Sequence, residues 1–219
     1  MVSNTLPDGL FLAWAAIFGI GMLGAMSPGP NLIITMRTTL TRGRAHGFAV
    51  ATGLACGNAV HATFGLVGIT VLIASTPWAY DVLRWAGAAF LIWIGAKALF
   101  SRHSPIVAAG MAAETTVEPR SYRASMMAGL ATNLLNPKVS IFFLALFTQI
   151  IDPATPEPVK ILYGATMVAV ELLWFGSVAC FIGSPGIRRR LLRVGPWIDR
   201  LTGGALMALG LRLALLRSV

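Results

Sequence analysis

Charge is scarce in this chain. Of its 219 residues only 11% are Asp, Glu, Lys or Arg, against 56% that are hydrophobic, and the acids number just eight. A soluble domain carries roughly 25% charged residues, so the polar side chains here are too few to cover a water-facing surface. That excludes a soluble globular protein, and a mean hydropathy of +0.75 makes lipid the solvent for most of the chain. Cysteine is equally sparse. Cys56 and Cys180 fall inside apolar runs with no metal-type ligands beside them, which excludes a disulfide framework and reads as packing by small apolar side chains. No metal or other cofactor is expected. The first residues, Met1 to Gly9, hold Asp8 but no Lys or Arg. They lack the positive region of a signal peptide, so the first apolar run is expected to stay in the mature protein.

What charge there is has one sign, with a net of +9. Its placement excludes nucleic acid as the partner. Most basic residues lie in short segments between apolar runs, among them Arg42, Arg44, Arg102, Arg120, Arg123 and Arg188 to Arg190. Anionic lipid headgroups are the expected partners of such segments.

A helix needs roughly 20 apolar residues to cross the hydrocarbon, and six stretches qualify. They run from about Leu10 to Met36, Gly47 to Ala74, Tyr80 to Phe100, Ala124 to Ile151, Ile161 to Ile187 and Trp197 to Leu216. The expected fold is an all-α integral membrane protein of six transmembrane helices. Loops 1–2, 3–4 and 5–6 hold twelve of the seventeen Lys and Arg residues and the opposite side four, Lys138 being the remaining one. The positive-inside rule places the richer side in the cytoplasm and both termini outside. Residues 101–123, rich in Ala, Ser, Thr and Glu, form the one sizeable linker. They divide a membrane repeat at 1–100 from a second at 124–219. With three spans in each, a duplication gives inverted halves, a plan common among secondary transporters.

The first and fourth spans are broken. In Ser27-Pro28-Gly29-Pro30-Asn31 each proline removes a backbone N–H and clashes with the turn before it, while Gly29 adds conformational freedom. Unpaired backbone groups cost several kcal/mol in lipid, so this break must be buried in protein or line a wet cavity. There the following half-helix N-terminus suits a zwitterion or an ion. Asn136-Pro137-Lys138 repeats the pattern, and Ser125, Gly129, Asn133, Asn136 and Ser140 recur at helical spacing as one polar face. Lys138 either faces the bundle, paired with Glu171 or a substrate carboxylate, or snorkels to a surface. In the second span Gly53, Gly57, His61 and Gly65 share a face. The GxxxG pair lets helices approach closely and suits a homodimer as well, while Asn58 and His61 add polar groups. His61 reads equally as a proton relay or as an interhelical hydrogen bond. Glu171, with Trp174 one turn away, is read as the only acid deep in a span and is a functional candidate for that reason. The lack of a second buried acid argues against dibasic substrates.

These stretches resemble the LysE/RhtB family of amino-acid exporters over nearly the full length. The matching residues are SPGPN at 27–31, Gly53-x3-Gly57-Asn58, Asn136 to Phe143, and Ile150 to Pro153. The resemblance implies a small exporter in the bacterial inner membrane, driven by the proton gradient, for amino acids or relatives such as homoserine and its lactone. Ser27 to Asn31 and Asn133 to Lys138 match the family's signature positions. Asn58 departs from it, standing where many members resemble one another in having aspartate, and this shifts the expected proton coupling toward Glu171. The expected substrate contacts are then Ser27, Pro28, Gly29, Pro30, Asn31, Asn58, Asn133, Asn136, Pro137, Lys138 and Trp174, with Glu171 and His61 as proton-coupling candidates.

Two rivals remain at this point. Ser27 and His61 pose as nucleophile and base of an intramembrane enzyme, although HExxH, paired aspartates and GxSxG are all absent. Alternatively, the chain is a non-transporting subunit that gathers partners on its glycine faces. The orientation is directly testable. With Cys56 and Cys180 replaced by alanine, a Ser104→Cys variant should react with an impermeant maleimide only when the cytoplasmic face is exposed. Labelling of intact cells would reverse the assignment.

Overall fold

Proline begins most of the helices. A computed structural model describes residues 7–27, 29–75, 77–100, 121–151 and 155–215. Pro28, most of the linker and Asp152-Pro153 of the family-like stretch lie outside the described residues. These form α1 (Pro7–Met26), α2 (Pro30–Arg42), α3 (Arg44–Ser75), α4 (Pro77–Leu99), α5 (Tyr122–Leu134), α6 (Pro137–Ile150), α7 (Glu157–Phe181) and α8 (Pro185–Leu215). Pro30 and Pro137 stand at the first turn of α2 and α6, where the missing N–H costs nothing and the fixed φ suits a helix start. Both expected breaks are present. The axis turns by 62° between α1 and α2 and by 58° between α5 and α6. At Asn136 the side chain caps α6, accepting the Lys138 N–H at 3.1 Å, the role for which asparagine is favoured. Gly43, at φ +89°, ends α2 in the left-handed region that favours glycine.

Among the described residues, α3 and α7 are each long and apolar enough to cross a membrane, and each bent pair passes the same test when taken as one span. The apolar part of α4, Trp85–Leu99, is shorter. The helix expected at 197–216 begins instead at Pro185, so the arginine run 188–193 is its first turns rather than a linker. That extension moves Asp199 from the end of a span to the interior of a helix, where it is 2% exposed. Glu171 is therefore not the only buried acid, and the argument against dibasic substrates from a missing second acid lapses.

Glycines set how the helices pack. A Cβ on Gly53 would overlap the Met126 carbonyl, and one on Gly129 would overlap that of Val50. Gly57 sits against Asn133, and Gly65 against Phe147. The face read from residues 53, 57 and 65 is thus real, and α5–α6 occupies it in parallel. Because the GxxxG pair is used inside the chain, it carries no argument for a dimer. The α4–α8 pair has a similar contact in antiparallel register, where a Cβ on Gly95 or Gly203 would come within 2.6 Å of the other's carbonyl oxygen. Further contacts run antiparallel between α3 and α7, with Asn58 beside Met167 and Gly47 beside Ala179. They run parallel between α1 and α7, with Trp14 bonded to Thr166 and Gly21 beside Met167.

Two apolar clusters result. One holds Ile17, Leu91, Phe142, Phe143, Phe147 and Met167, the other Leu32, Met36, Val50, Leu54 and Phe175. The outer surface is apolar too, with Phe64 74%, Trp78 71% and Leu173 60% exposed. Many hydroxyls along the helices bond back to the carbonyl four residues earlier, as in Thr35 to Asn31, Thr39 to Thr35 and Ser177 to Leu173, which satisfies them without water. The polar face expected from Ser125 to Ser140 does not continue through the break. Ser125, Gly129, Asn133 and Asn136 are buried, whereas Ser140 is exposed, because the bend resets the helical phase after residue 136.

Close backbone approach at α3–α5 should be sensitive to side-chain volume. We expect Gly53→Val to destabilise the protein by about 1–3 kcal/mol. Gly68→Val, with nothing within 4 Å of its Cβ, should be nearly neutral. Thermal melting of the purified protein in detergent separates the two.

Candidate functional site

A carboxylate in lipid needs donors, and the two broken helices bring them. Glu171 projects from α7 and is 5% exposed. Its Oε1 accepts from Asn31 Nδ2 at 2.9 Å and from Asn133 Nδ2 at 3.2 Å. Asn31 is the second residue of α2, and Asn133 belongs to the last turn of α5. The ring of contacts closes through two more amides. Asn133 Nδ2 also donates to Asn58 Oδ1 at 3.0 Å, and Asn136 Nδ2 donates to Asn31 Oδ1 at 3.2 Å. Asn58 in turn donates to the Met167 carbonyl at 3.3 Å. Four asparagines from both broken helices and α3 thus gather round one acid, at the level where the chain interrupts its own helices.

Lys138 approaches from the other side. Its Nζ donates to the Ser27 carbonyl at 2.7 Å, a backbone group that the first break leaves free. Between Glu171 and Lys138 lies a cavity of about 40 Å³. Its polar wall is Ser27, Asn31, Asn58, Asn136, Lys138 and Glu171, and its apolar wall includes Phe142, Phe143, Met167 and Phe175. An acid and a base lining one cavity, with amides beside them, match the two charges of a zwitterion. The half-helices α2 and α6 both begin at this level, adding the positive ends of their dipoles.

The LysE type translocator family matches residues 22–217 of the sequence. The chain belongs to that family. Among curated relatives, the threonine efflux protein of Escherichia coli (strain K12) is 29% identical over 208 residues, covering 95% of this chain and 98% of the relative. The leucine efflux protein of Enterobacter sp. (strain 638) is 30% identical over 200 residues, covering 90% of each. An uncharacterized membrane protein of Vibrio cholerae is 30% identical over 209 residues, covering 92% of this chain and 96% of the relative. No solved structure matches the chain. The protein is therefore a membrane translocator and not an enzyme.

Within this translocator the residues singled out from sequence divide into three groups. Ser27, Gly29, Asn31, Asn58, Asn136, Lys138 and Glu171 line the central cavity, with Asn133 directly behind it, while Pro28 lies outside the described residues. Pro30 and Pro137 line a neighbouring chamber. His61 and Trp174 line neither. His61 Nε2 donates to the Asn133 carbonyl at 3.2 Å, and its ring lies 5.9 Å from that of Phe143. This is the interhelical bond that was one of its two readings. Trp174 packs against the cluster round Leu32 and Met36, and its Nε1 has no partner among the described residues. The sequence reading missed Gly21 and Gly24 as wall residues. A Cβ at either would strike Met167 Sδ or the Phe142 ring, so the glycine spacing in the first span was the available signal. It also missed His46, whose Nδ1 lies 2.9 Å from Ser125 Oγ and whose ring stacks on Tyr122.

The asparagine ring should be structural as well as functional. Asn133→Ala removes donors to both Glu171 and Asn58, and we expect a loss of about 1–3 kcal/mol per group left unsatisfied. Trp174→Phe deletes an unpartnered donor and should leave both stability and transport near wild type. Parallel melting and transport assays of the two variants make the comparison.

Proposed function

We propose that this translocator exports free amino acids from the bacterial cytoplasm across the inner membrane as a secondary transporter, with a proton exchanged against substrate at Glu171. The reading is supported by one observation above the rest. Asn31 and Asn133, from two separate helix breaks, converge on Glu171 across a cavity from Lys138. The relatives named for threonine and for leucine efflux agree with it.

In this account the substrate carboxylate goes to Lys138 and the N-terminal end of α2, and its ammonium group replaces the proton on Glu171. Asn31, Asn58, Asn133 and Asn136 hold the acid in either state by turning amide donors or acceptors toward it. His61 acts on the frame of α5 rather than on the proton. A homoserine lactone has no carboxylate for Lys138, which restricts the proposal to free amino acids. The spans α1–α2, α3, α4, α5–α6, α7 and α8 are taken as six crossings in two inverted halves, 1–100 and 124–219, with 101–123 as a cytoplasmic linker. The antiparallel pairing of α3 with α7 and of α4 with α8 supports this, as does the match between α1 on α7 and α5 on α3. Alternating access then follows from one half rocking against the other about the fixed site.

In proteoliposomes, Glu171→Gln should still exchange labelled for unlabelled amino acid but lose its acceleration by a pH gradient. If the variant keeps full gradient-driven efflux, the coupling assignment is wrong.

A further inference from the structure

The central cavity holds a few water molecules at most, since one buried water needs about 10–15 Å³ of such space. It fits the charged head of an amino acid only after Lys138 moves, and it has no room for a side chain. A second chamber of about 430 Å³ lies against the same break, within the range of roughly 300–1,000 Å³ usual for small-molecule pockets. The two spaces share Ser27, Gly29 and Lys138, so the Lys138–Ser27 contact of 2.7 Å is the partition between them.

We propose that this chamber receives the substrate's side chain, and that the exported amino acid is accordingly apolar and of about leucine or methionine size. The proposal rests on the exporter reading above and adds the substrate class to it. Three features carry it. The chamber's wall is hydrocarbon and aromatic, built by Ile33 from α2, Phe90, Trp93, Ile94 and Ala98 from α4, and Ile141 from α6. A hydroxyl reaching into it would find few partners, whereas an aliphatic chain would pack against hydrocarbon. The only charged groups on the wall are Lys97 and Lys138. Both repel a basic side chain, and Lys138 draws the carboxylate to the window that joins the two spaces. Lys97 is exposed at the rim with its Nζ 5.4 Å from the Trp93 ring, where it adds positive potential at the entrance. With the head between Glu171 and Lys138, the side chain extends past Ser27 and Gly29 into this adjoining chamber, which is large enough to hold it.

The test uses the full-length protein in proteoliposomes and counterflow of labelled leucine. Leucine and methionine should compete at concentrations at least ten-fold below those needed of threonine or alanine, with lysine and aspartate weaker still. Ile141→Trp, which fills the chamber, should lower the leucine-to-alanine preference at least ten-fold. Trp93→Ala, at a ring that is 57% exposed and so removable without a buried void, should raise the phenylalanine-to-leucine preference several-fold. Preference for threonine, lysine or aspartate, or ratios unmoved in both variants, would overturn the side-chain chamber while leaving the exporter reading standing. Absence of exchange for every amino acid in the wild type would overturn the exporter reading, and this proposal with it.

Discussion

A carboxylate buried in a membrane protein is stable only if other groups take over the work of water. Glu171 meets that condition through two amide donors that no continuous helix would supply. Asn31 reaches it because α2 starts afresh at Pro30, and Asn133 because α5 stops at Leu134. Side chains at helix ends point along the axis as well as outward, so the breaks bring Asn31, Asn133 and Asn136 to one level of the bundle, where Asn58 of the unbroken α3 meets them. The acid and the breaks depend on each other. Without the acid the amides lose their common acceptor, and without the breaks the acid loses its donors.

The surrounding packing holds this polar layer in place. Buried apolar clusters round Phe143 and Met36 adjoin it, and Phe143 and Phe175 from them form part of the cavity wall. The glycine contacts at Gly53, Gly129, Gly95 and Gly203 fix the helices at backbone distance, so α3 with α5 and α4 with α8 behave as stiff pairs. What is left to move is lighter. Lys138 is a long, flexible side chain bonded to the Ser27 carbonyl, and even a Cβ added at Gly29 would lie at ordinary van der Waals distance from it, 3.6 Å from Nζ. A rigid frame with one polar partition suits a transporter, in which the site must open without the bundle coming apart.

Much of this was legible in the chain itself. Proline and asparagine placed both breaks correctly, and glycines four residues apart gave the α3 face and its close approach to another helix, though not that α5 is the helix it meets. Glu171, Lys138 and the asparagines stood out because polar groups are costly in lipid. The rest was hidden for physical reasons. Helical spacing carries information only while a helix lasts, so extending it from Asn136 to Ser140 across a 58° bend failed. Asp199 looked peripheral because the arginines before it masked the start of α8 at Pro185. Trp174 was drawn toward the site by its distance from Glu171 along the helix, although its ring packs on Met36 and its neighbours instead. The glycine spacing marks Gly21 and Gly24, but what they meet, Met167 and Phe142, lies more than a hundred positions away, and no local pattern records that.

The most direct measurement is an experimental structure of the protein in lipid with a transported amino acid bound. The account predicts the ammonium group within about 3 Å of Glu171, the carboxylate on Lys138, and Lys138 Nζ withdrawn from the Ser27 carbonyl. An amino acid bound away from both breaks, with the Asn31–Glu171 and Lys138–Ser27 contacts intact, would contradict it.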